Sequence, residues 1–135
     1  MKKFIFILTI ISFLFVVTAC SDDDKAGILF NRQPITVQNV KDISSVFVPG
    51  SRIYYIILMP KFQNSRILNI QIIKKGSAEY LGYDLYMTRT VRLKDEEQKY
   101  YTDSFVINEK GAYIMKVYSN DKPKKVLTQA QFFVR

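Results

Sequence analysis

Residues 109–115 read Glu-Lys-Gly-Ala-Tyr-Ile-Met, and the fold of the chain turns on them. A polar break ending in Gly111 gives way to alternation, with Tyr113, Met115 and Val117 on one face and Ala112, Ile114 and Lys116 on the other. A period of two is the signature of a strand, whose successive side chains point to opposite sides of a sheet. Outward from this stretch the pattern recurs in both directions. Strands are predicted near residues 35–40, 52–59, 66–74, 83–94, 99–107, 112–119 and 125–134, with further order around Gly27 to Asn31. Turn formers fall between them: Pro49-Gly50, Pro60, Gly76, Gly82, Gly111 and Pro123. No helix with an apolar stripe at 3.6 spacing can be drawn after Cys20.

Alternation also selects the inward faces. These are Ile53, Tyr55 and Ile57; Leu68, Ile70 and Ile72; Leu85, Met87, Val91 and Leu93; Tyr101, Phe105 and Ile107; Tyr113, Met115 and Val117; and Val126, Ala130, Phe132 and Val134. The run Ile53 to Met59 is apolar on both faces, so a middle strand is expected there.

Seven short strands over about 100 residues is the immunoglobulin-like count. The stretch 109–115 resembles the tyrosine corner of that class: an acidic residue, a small residue, Tyr113, and then Met115 where antibody domains carry their second disulfide cysteine. The resemblance implies that the Tyr113 hydroxyl returns to backbone a few residues upstream and that Met115 is a plain core residue. It departs from antibody domains in having no paired cysteine and no tryptophan at all. The fold class expected is therefore all-β, a single immunoglobulin-like antiparallel β-sandwich.

At 135 residues, 48% hydrophobic and 24% charged, the chain has room for one core and is too apolar for disorder over most of its length. The expected organisation is a signal segment at 1–19, a lipidated cysteine with an acidic tether at 20–34, and the sandwich at 35–135. The leader begins Met1-Lys2-Lys3 and runs through an apolar stretch from Phe4 to Val17 broken only by Thr9 and Ser12. That run of about 14 residues is short of the roughly 20 needed to span a bilayer, so it reads as an export signal with a helical leader rather than a permanent span.

Its end, Val17-Thr18-Ala19-Cys20, resembles the lipobox of bacterial lipoproteins, with Val17 where the class often has Leu. The resemblance implies diacylglyceryl transfer to Cys20, cleavage after Ala19 and acylation, often by palmitate, of the new amino terminus. Two or three acyl chains together give anchoring that one cannot, at about 0.8 kcal/mol per buried methylene. Cys20 is the only cysteine, so no internal disulfide can form in the body. Ser21 matches the outer-membrane default of enteric sorting, and Ser21-Asp22-Asp23-Asp24-Lys25 resembles the acidic tract of surface-exported lipoproteins. It also reads as a solvated spacer, which leaves surface and periplasmic display both open.

Net charge is +8 for the whole chain. Scattered lysines without a basic helix or run make solubility the plain reading, and no nucleic-acid partner is expected. The absence of histidine removes Ser-His-Asp and Cys-His catalysis and histidine metal ligation. With Cys20 lipidated, thiolate sites go too, so neither a metal nor another cofactor is expected. The acidic groups Asp22 to Asp24 and Asp95 to Glu97 lack the spacing of a calcium loop. Carboxylate pairs for glycoside chemistry and a Ser-Lys dyad stay open, but no acid sits in a recognisable motif. The expectation is a non-enzymatic module, anchored to a membrane by lipid, that binds an envelope protein or glycan. The other readings are an accessory subunit of an envelope complex, a protease inhibitor or an enzyme. Tyr54, Tyr80, Tyr83, Tyr86, Tyr100 and Tyr118 could furnish a binding surface or simply cover strands.

Two charges break the inward alternation: Arg89 among Leu85, Met87, Val91 and Leu93, and Asp103 among Tyr101, Phe105 and Ile107. A buried charge needs a partner. A hairpin around Lys94 to Gln98 that sets Leu93 opposite Lys99 also sets Arg89 opposite Asp103, about 5 Å apart across the ladder. The pair is the candidate ligand contact; the competing expectation is a bulge that turns one of the two to water.

Overall fold

Among the described residues the chain forms eight strands and no helix. They are β1 (Gly27–Asn31), β2 (Val46–Phe47), β3 (Arg52–Leu58), β4 (Ile67–Lys75), β5 (Tyr83–Arg92), β6 (Tyr100–Val106), β7 (Gly111–Ser119) and β8 (Val126–Val134). The computed structural model describes residues 26–59, 65–76, 83–95 and 98–135, the side chain of Tyr83 excepted. The span expected as signal segment, Cys20 and residues 21–25 lie outside the described residues.

The strands make two sheets, one of three in the order β1-β3-β6 and one of five in the order β2-β8-β7-β4-β5. Strand β3 is the middle of its sheet, as a run apolar on both faces requires, and its outward Ile56 is only 9% exposed. All pairings are antiparallel except β2 with β8, where Val46 and Phe47 run parallel to Phe133 and Val134. The chain leaves the three-stranded sheet after β1 and lays this two-residue strand along the end of β8, so the sandwich is not purely antiparallel.

The strand expected at 35–40 does not exist; residues 37–41 are a turn. The first sheet strand is Gly27–Asn31, inside the span read as tether, with Ile28 and Phe30 buried. Side-chain bonds explain the turn. Asn39 accepts from the Thr36 amide at 2.8 Å and donates to the Pro34 carbonyl at 2.7 Å, so local Asx chemistry outcompetes strand pairing.

The inward residues of β3, β4 and β7 are buried as alternation demands, all at 2% exposure or less. Two expected inward residues are not. Leu85 is 58% exposed because a bulge between Ile72 and Ile73 inserts Tyr86 into β5 and inverts the parity beyond it. Tyr86, still 36% exposed, sets its ring edge-on to Tyr113 at 5.4 Å. A second bulge at Val117/Tyr118 pairs Val126 with the outward Tyr118 and gives the inward place to Leu127, which packs on the core.

The corner forms. Tyr113 is fully buried and its hydroxyl donates to the Glu109 carbonyl at 2.6 Å, while Met115 is fully buried in the cysteine position. The domain is an immunoglobulin-like sandwich. Tyr113→Phe removes a buried hydroxyl bond and should lower unfolding free energy by about 1 kcal/mol in urea titrations. Just before β3, Val48-Pro49-Gly50-Ser51 closes as a turn, with Ser51 N donating to Val48 O at 3.1 Å and Gly50 at φ 79°. A proline followed by a positive-φ glycine is the type II pattern.

Candidate functional site

Strand β5 is the edge of the five-stranded sheet and β6 the edge of the three-stranded sheet. The chain changes sheet between β5 and β6, so the two are not hydrogen-bonded neighbours: Arg89 lies opposite Ile70 and Asp103 opposite Tyr55. The expected hairpin register is therefore wrong. The two side chains meet all the same, because both point inward and face each other across the open side of the sandwich. The Arg89 guanidinium donates to Asp103 Oδ2 at 2.7 Å and to the Ser104 carbonyl at 3.2 Å.

Two further hydroxyls belong to this notch, and inward parity was their only signal in the sequence. Tyr101 donates to Asp103 Oδ2 at 3.1 Å, while Asp103 Oδ1 accepts from the Ser104 amide at 2.8 Å. Tyr55 is 1% exposed, and its hydroxyl has no hydrogen-bond partner of normal geometry among the described residues. Burial, then the negative charge of Asp103, raises the Tyr55 pKa well above the ordinary phenol value. Tyr101 is raised in the same direction by the same two causes. Burial alone would lower Arg89, but Tyr55 and Asp103 outweigh it and hold the guanidinium above its usual value.

The side chains of Arg89 and Asp103 keep 35% and 38% of their surface. At that exposure an ion pair contributes little. Replacing either with Ala should cost under about 1 kcal/mol, not the 3 to 5 of a buried pair, and a double-mutant cycle in denaturant would measure it. Inward-pointing charges on edge strands are also a standard defence against edge-to-edge pairing, so the notch suits a latch on the open side. Its carboxylate is already satisfied by three donors. No cluster of three metal-ligating side chains occurs among the described residues.

Of the tyrosines named as surface candidates, Tyr100 is 58% exposed and lines an open groove of about 770 Å³ with Lys94, Gln98 and Lys99, while Tyr86 keeps 36% of its surface and lies edge-on to the buried Tyr113. Tyr80 and the side chain of Tyr83 lie outside the described residues.

No family profile and no curated protein matches this chain. Some solved structures are similar to it. An immunoglobulin-like protein from Pseudomonas aeruginosa is 16% identical, with 82% of this chain and 90% of that one covered at a TM-score of 0.46. A protein assigned as a lipoprotein from Bacillus anthracis is 12% identical, with 85% and 76% covered at 0.47. A superoxide reductase, neelaredoxin, from Ignicoccus hospitalis is 9% identical, with 82% and 78% covered at 0.46. At these identities and scores they are likenesses of fold and carry no argument about activity.

Proposed function

We propose that this chain is a lipoprotein of the bacterial envelope, anchored through Cys20, whose immunoglobulin-like domain is a non-catalytic binding module for a protein or glycan. The observation that carries the reading is Val17-Thr18-Ala19-Cys20 at the end of a short apolar leader. The fold adds a constraint on geometry. Strand β1 begins at Gly27, so the chain from Cys20 to the sheet spans at most about 25 Å at roughly 3.5 Å per residue. The domain works close to the membrane that holds its lipid, with the outer membrane as the address Ser21 supports.

Growth with an alkyne-tagged palmitate should label the protein in the membrane fraction. Cys20→Ala should abolish the label and leave an uncleaved or soluble form. An unlabelled wild type, or a labelled Cys20→Ala variant, would remove the assignment. A stoichiometric partner retained at high salt after detergent extraction would favour an accessory subunit over a module that binds and releases.

A further inference from the structure

The bulge in β5 does more than break the alternation. By inserting Tyr86 it moves Leu85 from the core to the outer face of the five-stranded sheet, opposite Ile73, which in turn lies opposite Ile114 on β7. In the adjoining row Ala112 on β7 lies opposite Phe133 on β8, and Phe133 opposite Val46 on β2. Leu85, Ile73, Ile114, Phe133 and Val46 thus form a diagonal apolar band across all five strands, with Gln131 opposite Ile114 and the Arg135 guanidinium over the Phe133 ring at 4.9 Å. At the usual strand spacing of about 4.8 Å it is roughly 19 Å long.

The charges that share the outward parity are of one sign, while Asp84 and Glu109 line a hollow with Lys75 and Leu85 at the β5 edge. Lys75 and Arg92 stand at opposite ends and Lys116 lies between, in a row with Gln71, Gln129 and Thr88. No Asp or Glu shares the outward parity among the described strand residues. The outer face of the other sheet differs: Pro34 and Ile35 of the chain's own loop line a hollow with Tyr54, Thr102 and Ser104, and Arg52 donates to Ser104 Oγ at 3.1 Å.

We infer that the outer face of the five-stranded sheet is the docking surface of this module, and that its partner is a protein presenting an apolar ridge flanked by carboxylates. The inference rests on the binding-module reading and names its surface. An apolar centre with a polar, charged rim is the anatomy of a protein interface. A second copy fits poorly, since it would set Lys75, Lys116 and Arg92 against their own counterparts. A polysaccharide would stack its apolar ring faces on an open aromatic ring, and the ring in the band, Phe133, is already covered by the Arg135 guanidinium; a phosphate backbone offers nothing to the apolar band. Edge bulges commonly re-aim a side chain at functional sites, and here the re-aimed residue is Leu85, the most exposed member of the band.

The test is photo-crosslinking in the cells that make the protein, on the full-length lipoprotein, with p-benzoylphenylalanine at Leu85 or Gln129 and, as controls, at Tyr54 or Thr102. Adducts to a protein are expected from the first two positions and not from the controls. Mass spectrometry should place the crosslink in a peptide carrying Asp or Glu beside aliphatic residues. Lys75→Glu with Lys116→Glu should cut adduct yield about tenfold, by reversing the complementary field. If that variant melts below the wild type, Lys75→Gln with Lys116→Gln should still cut it about threefold. Adducts indifferent to these charges, or adducts to a second copy, a polysaccharide or lipid, would overturn the surface assigned here. Adducts from Tyr54 or Thr102 alone would overturn it too while leaving a binding module in place. No adduct from any of the four positions would remove both.

Discussion

Phe132→Ala should destabilise the domain by about 3 to 5 kcal/mol, the range for truncating a fully buried aromatic residue. Phe132 has no exposed surface and joins both layers of the sandwich. From its own sheet it stacks on Tyr113 at 5.4 Å with an interplanar angle of 12° and meets Phe47 at 6.3 Å. From the facing sheet it meets Phe30 at 4.9 Å and Phe105 at 5.7 Å. Truncation would open a cavity bordered by four rings on four strands, none of which can collapse into it without shifting its own sheet. Domains of this size hold only about 5 to 15 kcal/mol in total. Cys20 is the sole cysteine, so no internal disulfide backs up the packing. Guanidinium unfolding followed by far-UV circular dichroism would show the midpoint fall, with Phe132→Leu, which leaves a smaller cavity, losing less than the Ala variant. An Ala variant within 1 kcal/mol of wild type would show that the ring cluster is not what joins the layers.

Much of this architecture was legible in the sequence, and the failures share a cause. Alternation reports which face a residue takes as long as the ladder is regular, which is why Ile53, Leu68, Met115 and Phe132 were placed correctly. A bulge adds one residue without any signature in the side chains around it, and so Leu85 and Val126 were assigned to the wrong side. The strand expected at 35–40 failed for a different reason: Val37 and its apolar neighbours suggest a strand, but Asn39 provides backbone bonds that a strand cannot match locally. The pairing of Arg89 with Asp103 survived an incorrect route. Inward parity on two edge strands suffices to bring opposite charges together, whether the strands share a ladder or face each other across the core. What no pattern could supply was the change of sheet between β5 and β6, a choice made by non-local packing. The outer face of the five-stranded sheet was hidden for the same reason, since its residues become neighbours only once that order is known.

Tyr55→Phe should act in the opposite sense to Tyr113→Phe and stabilise the domain by about 1 to 3 kcal/mol. The two phenols are buried almost equally, at 1% and 0% exposure. They differ in what the hydroxyl finds. Tyr113 donates to the Glu109 carbonyl, whereas the Tyr55 hydroxyl sits beside Asp103 and close enough to the Arg89 guanidinium to feel it, but with no hydrogen bond of normal geometry. The hollow next to it, lined by Tyr55, Ile70, Met87, Arg89 and Met115 among others, is about 10 Å³. That is at the lower limit for a single water, so the desolvated hydroxyl is a standing cost that Phe would relieve while keeping the ring. Burial also raises the pKa of both groups, Tyr113 being pushed up to about 12 with help from the Glu109 charge. A folded-state pKa above the unfolded value of about 10 means that the unfolded chain releases its protons first. The contribution is therefore complete below pH 10 and is lost as pH rises toward the folded values. Stability should fall above pH 10 by up to about 1.4 kcal/mol per pH unit for each such tyrosine. In Tyr55→Phe the starting stability should be higher and the alkaline slope shallower by one tyrosine's share. Urea titrations at pH 8, 10 and 11 would separate the two effects, and a variant less stable than wild type at pH 8 would mean that Arg89 or Asp103 does bond the hydroxyl in solution.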